Sequence, residues 1–234
     1  MIQDIISLAK IARLDPRSSL LVWQIKHSGK TFLGYPQLLS LVEIVKEART
    51  RYGENLHIAE FGVGRGGSAT LLASLINHHG GNLDLYDVFG RIPPPKDIDG
   101  KNAMARYDNI LNREERDYYG NIPDLIELLK SELGMICPLN KIRFVQGRYE
   151  ETLSKLNLGF PLHFVHIDCD WYESTRTVLE YLQNNLHPGA LLQIDDYHTW
   201  QGSKRAVDEA IWLQKYCMRD VGDALVIDTS KNAV

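Results

Sequence analysis

What this chain lacks narrows its function before any motif is read. It has no basic surplus: 26 lysines and arginines stand against 30 aspartates and glutamates, a formal net charge of −4. Proteins that hold nucleic acid or an anionic membrane surface carry a positive footprint, so neither partner is expected. No apolar run approaches the ~18 residues of a membrane-spanning helix, and the opening residues do not read as a signal peptide. Cysteine is scarce. Cys137, Cys169 and Cys217 are odd in number and lack C-x-x-C spacing, which suits free thiols in a reducing compartment. The expected location is the cytoplasm. No internal repeat or low-complexity tract is visible.

What is present is an ordinary globular composition, 44% hydrophobic and 24% charged, which excludes a disordered chain. The 234 residues suit one domain, 1–234, with a helical segment over 1–56 and an α/β core over 57–234. Ile2, Ile5, Ile6, Ala9 and Ala12 recur at helical spacing, and Asp15-Pro16-Arg17-Ser18 breaks that run. The next helix is expected to begin at Pro36 and to stop at Gly53. Between them, Lys30 to Tyr35 is either a loop that reaches over a ligand or a plain connector.

From His57 onward strands and helices alternate. Strands are expected at His57–Phe61, Asn82–Tyr86, Lys141–Gln146, His163–Ile167 and Ala190–Ile194. Helices are expected at Ser68–His78, near Glu150–Leu156, at Ser174–Leu186 and at Ser203–Tyr216. That rhythm implies a mostly parallel, Rossmann-like sheet covered by helices, with ligands beyond the carboxyl ends of its strands. An insertion over about 90–134, opening Arg91-Ile92-Pro93-Pro94-Pro95 and reading helical through Tyr118-Tyr119, has the length of an active-site lid.

The chain is organised around Ile58 to Ser68, a short apolar strand followed at once by glycines 62, 64, 66 and 67 and then by a helix. Such a turn brings backbone N–H groups to a nucleotide. Gly62, Gly64 and Gly67 satisfy G-x-G-x-x-G, and Asp87 stands 20 residues beyond Gly67, as a ribose-binding acid does. Spacing alone does not separate a dinucleotide from S-adenosylmethionine (SAM). Glu60 favours SAM, because a carboxylate at the strand end suits a sulfonium and an ammonium better than a pyrophosphate.

Carboxylates gather at two further strand ends. Asp168 and Asp170 flank Cys169, and Asp195-Asp196 closes the next strand. Both members of that second pair serve one site only if the strand has ended and the chain is turning. Four carboxylates at neighbouring strand ends repel one another unless a cation sits among them. An all-oxygen set favours a hard divalent ion such as Mg²⁺. His166 reads as a structural strand histidine, while His198, in the following loop, is a candidate for proton transfer. Trp171, Tyr172 and Trp200 either wall the substrate or pack the core.

Glu-Phe-Gly-Val-Gly-Arg-Gly-Gly-Ser, Asp87-Val88-Phe89-Gly90, Gln146-Gly147-Arg148-Tyr149, His166 through Ser174, Pro188-Gly189 and Ile194-Asp195-Asp196-Tyr197 together resemble the macrocin O-methyltransferase (TylF-like) family over roughly 30–215. The resemblance implies a class I SAM-dependent methyltransferase fold and methyl transfer to a sugar hydroxyl of a small, glycosylated natural product. It also implies a divalent metal, usually Mg²⁺, held by Asp168, Asp195 and Asp196, with Asp170 as general base and Asp87 on the SAM ribose. Glu60, Gly62, Gly64, Gly67, Ser68, Phe89 and Arg148 complete the expected cofactor set, and a homo-oligomer is compatible with it. The resemblance weakens toward the C-terminus, where one strand, Leu225–Ile227, is expected in place of the family's strand pair. An NAD(P)-dependent oxidoreductase and a non-catalytic SAM-binding protein are the alternatives.

Overall fold

The computed structural model describes residues 2–112, 122–156 and 158–232. Three helices come first: α1 (Ile2–Leu14), α2 (Pro16–His27) and α3 (Tyr35–Tyr52). The sequence reading took 15–18 as a break and missed α2. Both readings of those residues hold at once, because the break is itself a helix start. Asp15 is extended, and its carboxylate accepts from Arg17 N–H at 3.3 Å and from Ser18 Oγ at 2.6 Å. Pro16, lacking an N–H, suits the first helical position. α3 carries Pro36 in its first turn and ends at Gly53, whose φ of +77° is open to glycine.

The core alternates as expected. It runs β1 (His57–Phe61), α4 (Gly67–His79), β2 (Asn82–Asp87), α5 (Gly100–Asn112), α6 (Leu125–Gly134) and β3 (Ile142–Gln146). It continues with α7 (Tyr149–Thr152), β4 (Leu162–Ile167), α8 (Tyr172–Leu182), β5 (Leu186–Ile194), α9 (Gln201–Glu209), β6 (Tyr216–Val221) and β7 (Ala224–Asn232). The described strands form one sheet ordered β3-β2-β1-β4-β5-β7-β6, parallel from β3 to β5 and antiparallel at β7 and β6. Strand order reverses at β1, between β2 and β4, and ligands in open α/β sheets lie at such a switch point.

Three boundaries move. The helix expected through Leu186 stops at Leu182, and β5 opens at Leu186. The helix expected through Tyr216 stops at Glu209, and Tyr216 opens a strand. The C-terminus therefore holds the strand pair that the sequence reading gave up. β6 escaped because it is an edge strand with mostly exposed, mixed residues and shows no apolar alternation.

Side chains alternate across the sheet and divide the core in two. Ile58, Leu83, Leu85, Phe164, Leu191 and Val226 face α1, α2, α3, α4 and α6. Ala59, Phe61, Tyr86, Val165, Ile167 and Ile227 face α8 and the chain beside α9. The insertion is likewise divided. α6 buries Leu125, Leu129 and Leu133 in the first core, so it is packed scaffold. Residues 91–99 run over the strand ends as a strap, closed by a short 3₁₀ turn at Asp97–Asp99. Tyr118 and Tyr119, expected to be helical, lie outside the described residues. Among the described residues no helix is long and apolar enough to cross a membrane.

Candidate active site

The glycine turn leaves β1 and enters α4 through backbone that only glycine accepts easily. Gly62 has φ +89°, and a Cβ there would lie 1.8 Å from the carbonyl oxygen of Asp168. The close approach of two neighbouring strand ends thus requires this glycine. Gly67 has no room either, since the Lys30 carbonyl would lie 2.6 Å from its Cβ. The 30–35 loop therefore sits on the turn.

Asp87, at the end of β2, organises the turn directly. Its Oδ2 accepts from Val63 N–H at 2.6 Å and Gly64 N–H at 3.1 Å, and its Oδ1 accepts from Phe89 N–H at 2.8 Å. Burial raises its pKa, and the backbone donors pull the other way. Two N–H groups that a pyrophosphate would need are therefore already occupied by a carboxylate. That arrangement counts against a dinucleotide.

Across the switch point, β4 ends at Ile167 and a tight turn follows. Asp170 adopts left-handed backbone at φ +60°, a strained choice for a non-glycine residue, of the kind found at functional sites. Asp196 holds it there, its Oδ2 accepting from Asp170 N–H at 2.9 Å. Trp200 Nε1–H donates to Asp170 Oδ1 at 3.0 Å. Asp168 and Asp170 thus reach the same cavity by way of a turn. β5 ends at Ile194, and the turn after it sends both Asp195 and Asp196 to that cavity, as the reading required.

The cavity is about 510 Å³, a size typical of small-molecule sites. Gly62, Gly64, Ser68, Asp87 and Arg148 line one part, and Asp168, Asp170, Asp195 and Asp196 another. The strap adds Ile92, Pro93 and Pro94, and the N-terminal loop adds Phe32 and Leu33. Burial lifts Asp168 well above the ordinary carboxylate range, and Asp195 beside it adds to the lift. Burial does the same to Asp196, with Asp170 and Asp168 adding repulsion. Asp170 is pushed up to about 7 by burial, against the pull of the Trp200 N–H and the positive charge of Arg106.

Four expected site residues stand elsewhere. Glu60 is fully buried and outside the cavity lining, its Oε1 2.9 Å from His166 Nδ1. A buried imidazole at that distance, in place of a cofactor's cationic end, is its partner. His198 points away, with Nε2 2.8 Å from Asp220 Oδ1 on β6. Phe89 packs its ring on Phe144, and Gly67 supports the loop above it.

His166 carries more than its strand position suggested. Its Nε2 lies 3.6 Å from Asp195 Oδ1. Burial opposes a charged ring, yet Asp195 and Glu60 together raise its pKa well above the usual imidazole value. His166, Asp168 and Asp195 offer one ligand atom each within 4.8 Å of one another, and among the described residues they are the group so placed. Asp196 stands outside that group.

Sequence reasoning also missed Asp99 and Arg106. Asp99 is buried, its Oδ1 accepting from Tyr172 N–H at 2.6 Å and its Oδ2 from Lys96 N–H at 2.8 Å. Arg106, on α5, lines the cavity with its guanidinium 5.2 Å from the centre of the Phe32 ring. Their anchoring contacts gave no signal in the sequence, because Tyr172 lies 73 residues from Asp99 and Phe32 lies 74 residues from Arg106.

Comparison with known proteins agrees with this geometry. The profile of the macrocin O-methyltransferase (TylF) family matches residues 23–215. A curated Streptomyces olivaceus protein, 8-demethyl-8-(2,3-dimethoxy-α-L-rhamnosyl)-tetracenomycin-C 4′-O-methyltransferase, is 29% identical over 143 residues, 60% of this chain. The match takes in 52% of that protein, so the chain spans about half the length of the curated relative it matches. Among solved structures, the O-methyltransferase NovP superposes with a TM-score of 0.71 at 21% identity, covering 86% of this chain and 82% of that one. CalS11, a calicheamicin methyltransferase, superposes with a TM-score of 0.67 at 17% identity, covering 92% of this chain and 93% of that one. These likenesses establish the class I SAM-dependent methyltransferase fold.

Proposed function

The chain belongs to the macrocin O-methyltransferase family, and from that premise we propose that it methylates a sugar hydroxyl of a glycosylated small molecule with the help of a divalent cation. The observation that carries the reading is the single cavity, with a glycine turn on one side and four aspartates on the other. SAM fits the first part: the turn is closed to phosphate by Asp87, and Asp87 retains a lone pair for a ribose hydroxyl after accepting three N–H bonds. A hard divalent ion, Mg²⁺ by its oxygen ligands, fits the second. Without it, half-buried Asp168 and buried Asp196 are acids that repel their neighbours.

Asp168 and Asp195 would hold the ion, with Asp196 completing the acidic wall. When bound, SAM supplies an electrophilic methyl group and the ion lowers the pKa of an acceptor hydroxyl. The protein's own part is positioning and proton transfer. Asp170 takes the acceptor proton, since its carboxylate lines the same cavity and is held in place by Trp200. Trp200 and Asp196 fix the two ends of Asp170, one through its carboxylate and one through its backbone. Ile92, Pro93, Trp171 and Phe32 shield the reacting groups from water. Holding the two reactants in line accounts for up to about 7–11 kcal/mol of the barrier in well-oriented cases. A net charge of −4 leaves nucleic acid and anionic membrane as poor partners and suits an enzyme of the cytoplasm. The whole chain acts as one domain in this reading.

The test is transfer of labelled methyl from SAM to a panel of rhamnosylated and other deoxysugar-bearing aglycones, after EDTA treatment and again with added Mg²⁺. Metal-dependent label on the sugar is expected. Asp170→Asn should keep SAM and metal binding while turnover falls about 10²–10⁴-fold. Full activity in the metal-free enzyme would overturn the role of the cation, and label on a non-sugar position would overturn the acceptor class.

A further inference from the structure

Three polar side chains stand in one row under the floor of the cavity. Glu60 on β1 is paired in register with His166 on β4, and His166 with Gln193 on β5. All three are fully buried, and none of them lines the cavity. They share the sheet face that otherwise buries Ile58, Phe164 and Leu191. A polar row in that layer opposes burial of apolar surface and needs a compensating role.

From two sides it approaches one carboxylate oxygen, Asp195 Oδ1. Glu60 Oε1 meets His166 Nδ1 at 2.9 Å, and His166 Nε2 faces Asp195 Oδ1 at 3.6 Å. From the other side, Gln193 Nε2–H donates to the same Oδ1 at 2.9 Å. Gln193 is itself steadied by the Gln37 carbonyl of α3, 3.4 Å from its Nε2. Asp195 is thus gripped at Oδ1 from below, which leaves Oδ2 for the cavity. Glu60 Oε2, Gln193 Oε1 and His166 Nε2 find no hydrogen-bond partner among the described residues, so His166 meets Asp195 as a close charged contact and not through a hydrogen bond.

We propose that His166, oriented by Glu60, is a positioning residue that aims Asp195 at the divalent cation. Behind a metal-ligating histidine, a carboxylate commonly fixes the direction of the ring. Here the pair works one shell further out, on a carboxylate. The inference rests on the metal reading above.

The experiment uses Mn²⁺ as probe on the intact chain, with affinity read by calorimetry and electron paramagnetic resonance and with no turnover required. His166→Asn keeps a donor toward Glu60 and loses the atom toward Asp195, and His166→Gln does the reverse. Mn²⁺ affinity should fall about 10–100-fold in His166→Asn and recover in part in His166→Gln. Glu60→Gln, the milder variant should either histidine change fail to fold, should weaken Mn²⁺ several-fold. S-adenosylhomocysteine affinity should stay constant throughout. Unchanged Mn²⁺ affinity in a folded His166→Asn or Glu60→Gln would overturn the proposal while leaving the metal reading intact. Imidazole-nitrogen coupling to bound Mn²⁺ would overturn it too, by making His166 a ligand. A wild-type protein that binds no Mn²⁺ or Mg²⁺ would remove both readings together.

Discussion

At the scale of single residues, carboxylates at the strand ends act on backbone as much as on ligands. Asp87 closes the glycine turn through Val63 and Gly64, so Asp87→Ala should disturb the empty protein as well as the complex. A lower melting temperature without ligand is expected, with S-adenosylhomocysteine affinity reduced tenfold or more by the loss of about 1.5–3 kcal/mol. Calorimetry showing unchanged affinity would take Asp87 out of the cofactor site. A second residue-scale effect lies at the opposite end of the sheet. His163 Nδ1 accepts from His57 N–H at 3.1 Å, and its ring stacks on His187 and leans on Tyr52. Burial, with the charges of His187 and His57 added, pushes its pKa down to about 4. The folded value lies below the unfolded one, so on acidification the unfolded chain takes the proton first. Its contribution is whole above about pH 6.5 and is lost as pH falls toward 4. The melting temperature should drop across that window, and His163→Asn should flatten the drop. An equally steep acid limb in the variant would assign the loss to other groups.

At the scale of elements, the strap over 91–99, part of the insertion read as a lid, is bonded to the helices beside it. Trp171 Nε1–H donates to the Pro93 carbonyl at 2.9 Å, and Asp99 receives the first N–H of α8 from Tyr172. Gly202 on α9 has no room for a Cβ because Asp99 Oδ1 would lie 1.9 Å from it. One carboxylate therefore locks the strap against two helix starts. Asp99→Ala should raise hydrogen exchange at the Lys96 and Tyr172 amides and lower stability by about 1–3 kcal/mol. Equal exchange in the variant would show that the prolines and Trp171 suffice. Helix α3 is tied to β7 in a similar way, with Arg51 donating to both Asp228 oxygens at 2.9 and 2.8 Å. That pair holds the Asp228 pKa well below its usual value. Elements with local signals were legible: β1 falls where the apolar run and glycine turn put it, and α3 stops at Gly53. β6 and the anchoring of the strap were not, because an exposed edge strand has no apolar rhythm and Asp99 has no local partner beyond Lys96.

At the scale of the molecule, the parallel core and the gathering of four acids followed from sequence, since strand ends and turns announce themselves locally. The destination of Glu60 did not follow. Its strand was placed correctly, but its face depends on which strand lies beside β1, and β4 is more than 100 residues away. The sheet order has one more consequence, for how the protein is made. β7 follows β6 along the chain, yet among the described strands it lies between β5 and β6. Without β7, β6 has no neighbour in the sheet and the outer edge of β5, the strand that leads to Asp195, stands open. An open edge of this kind recruits other chains. A nascent chain halted before Ala224 should therefore lose two strands, not one, and aggregate through β5. Release of full-length and halted chains in a cell-free system, followed by sedimentation, would show it: the full chain in the supernatant, the halted one in the pellet. Equal solubility would mean that α9 or a chaperone shields β5 when the nine residues of β7 are missing.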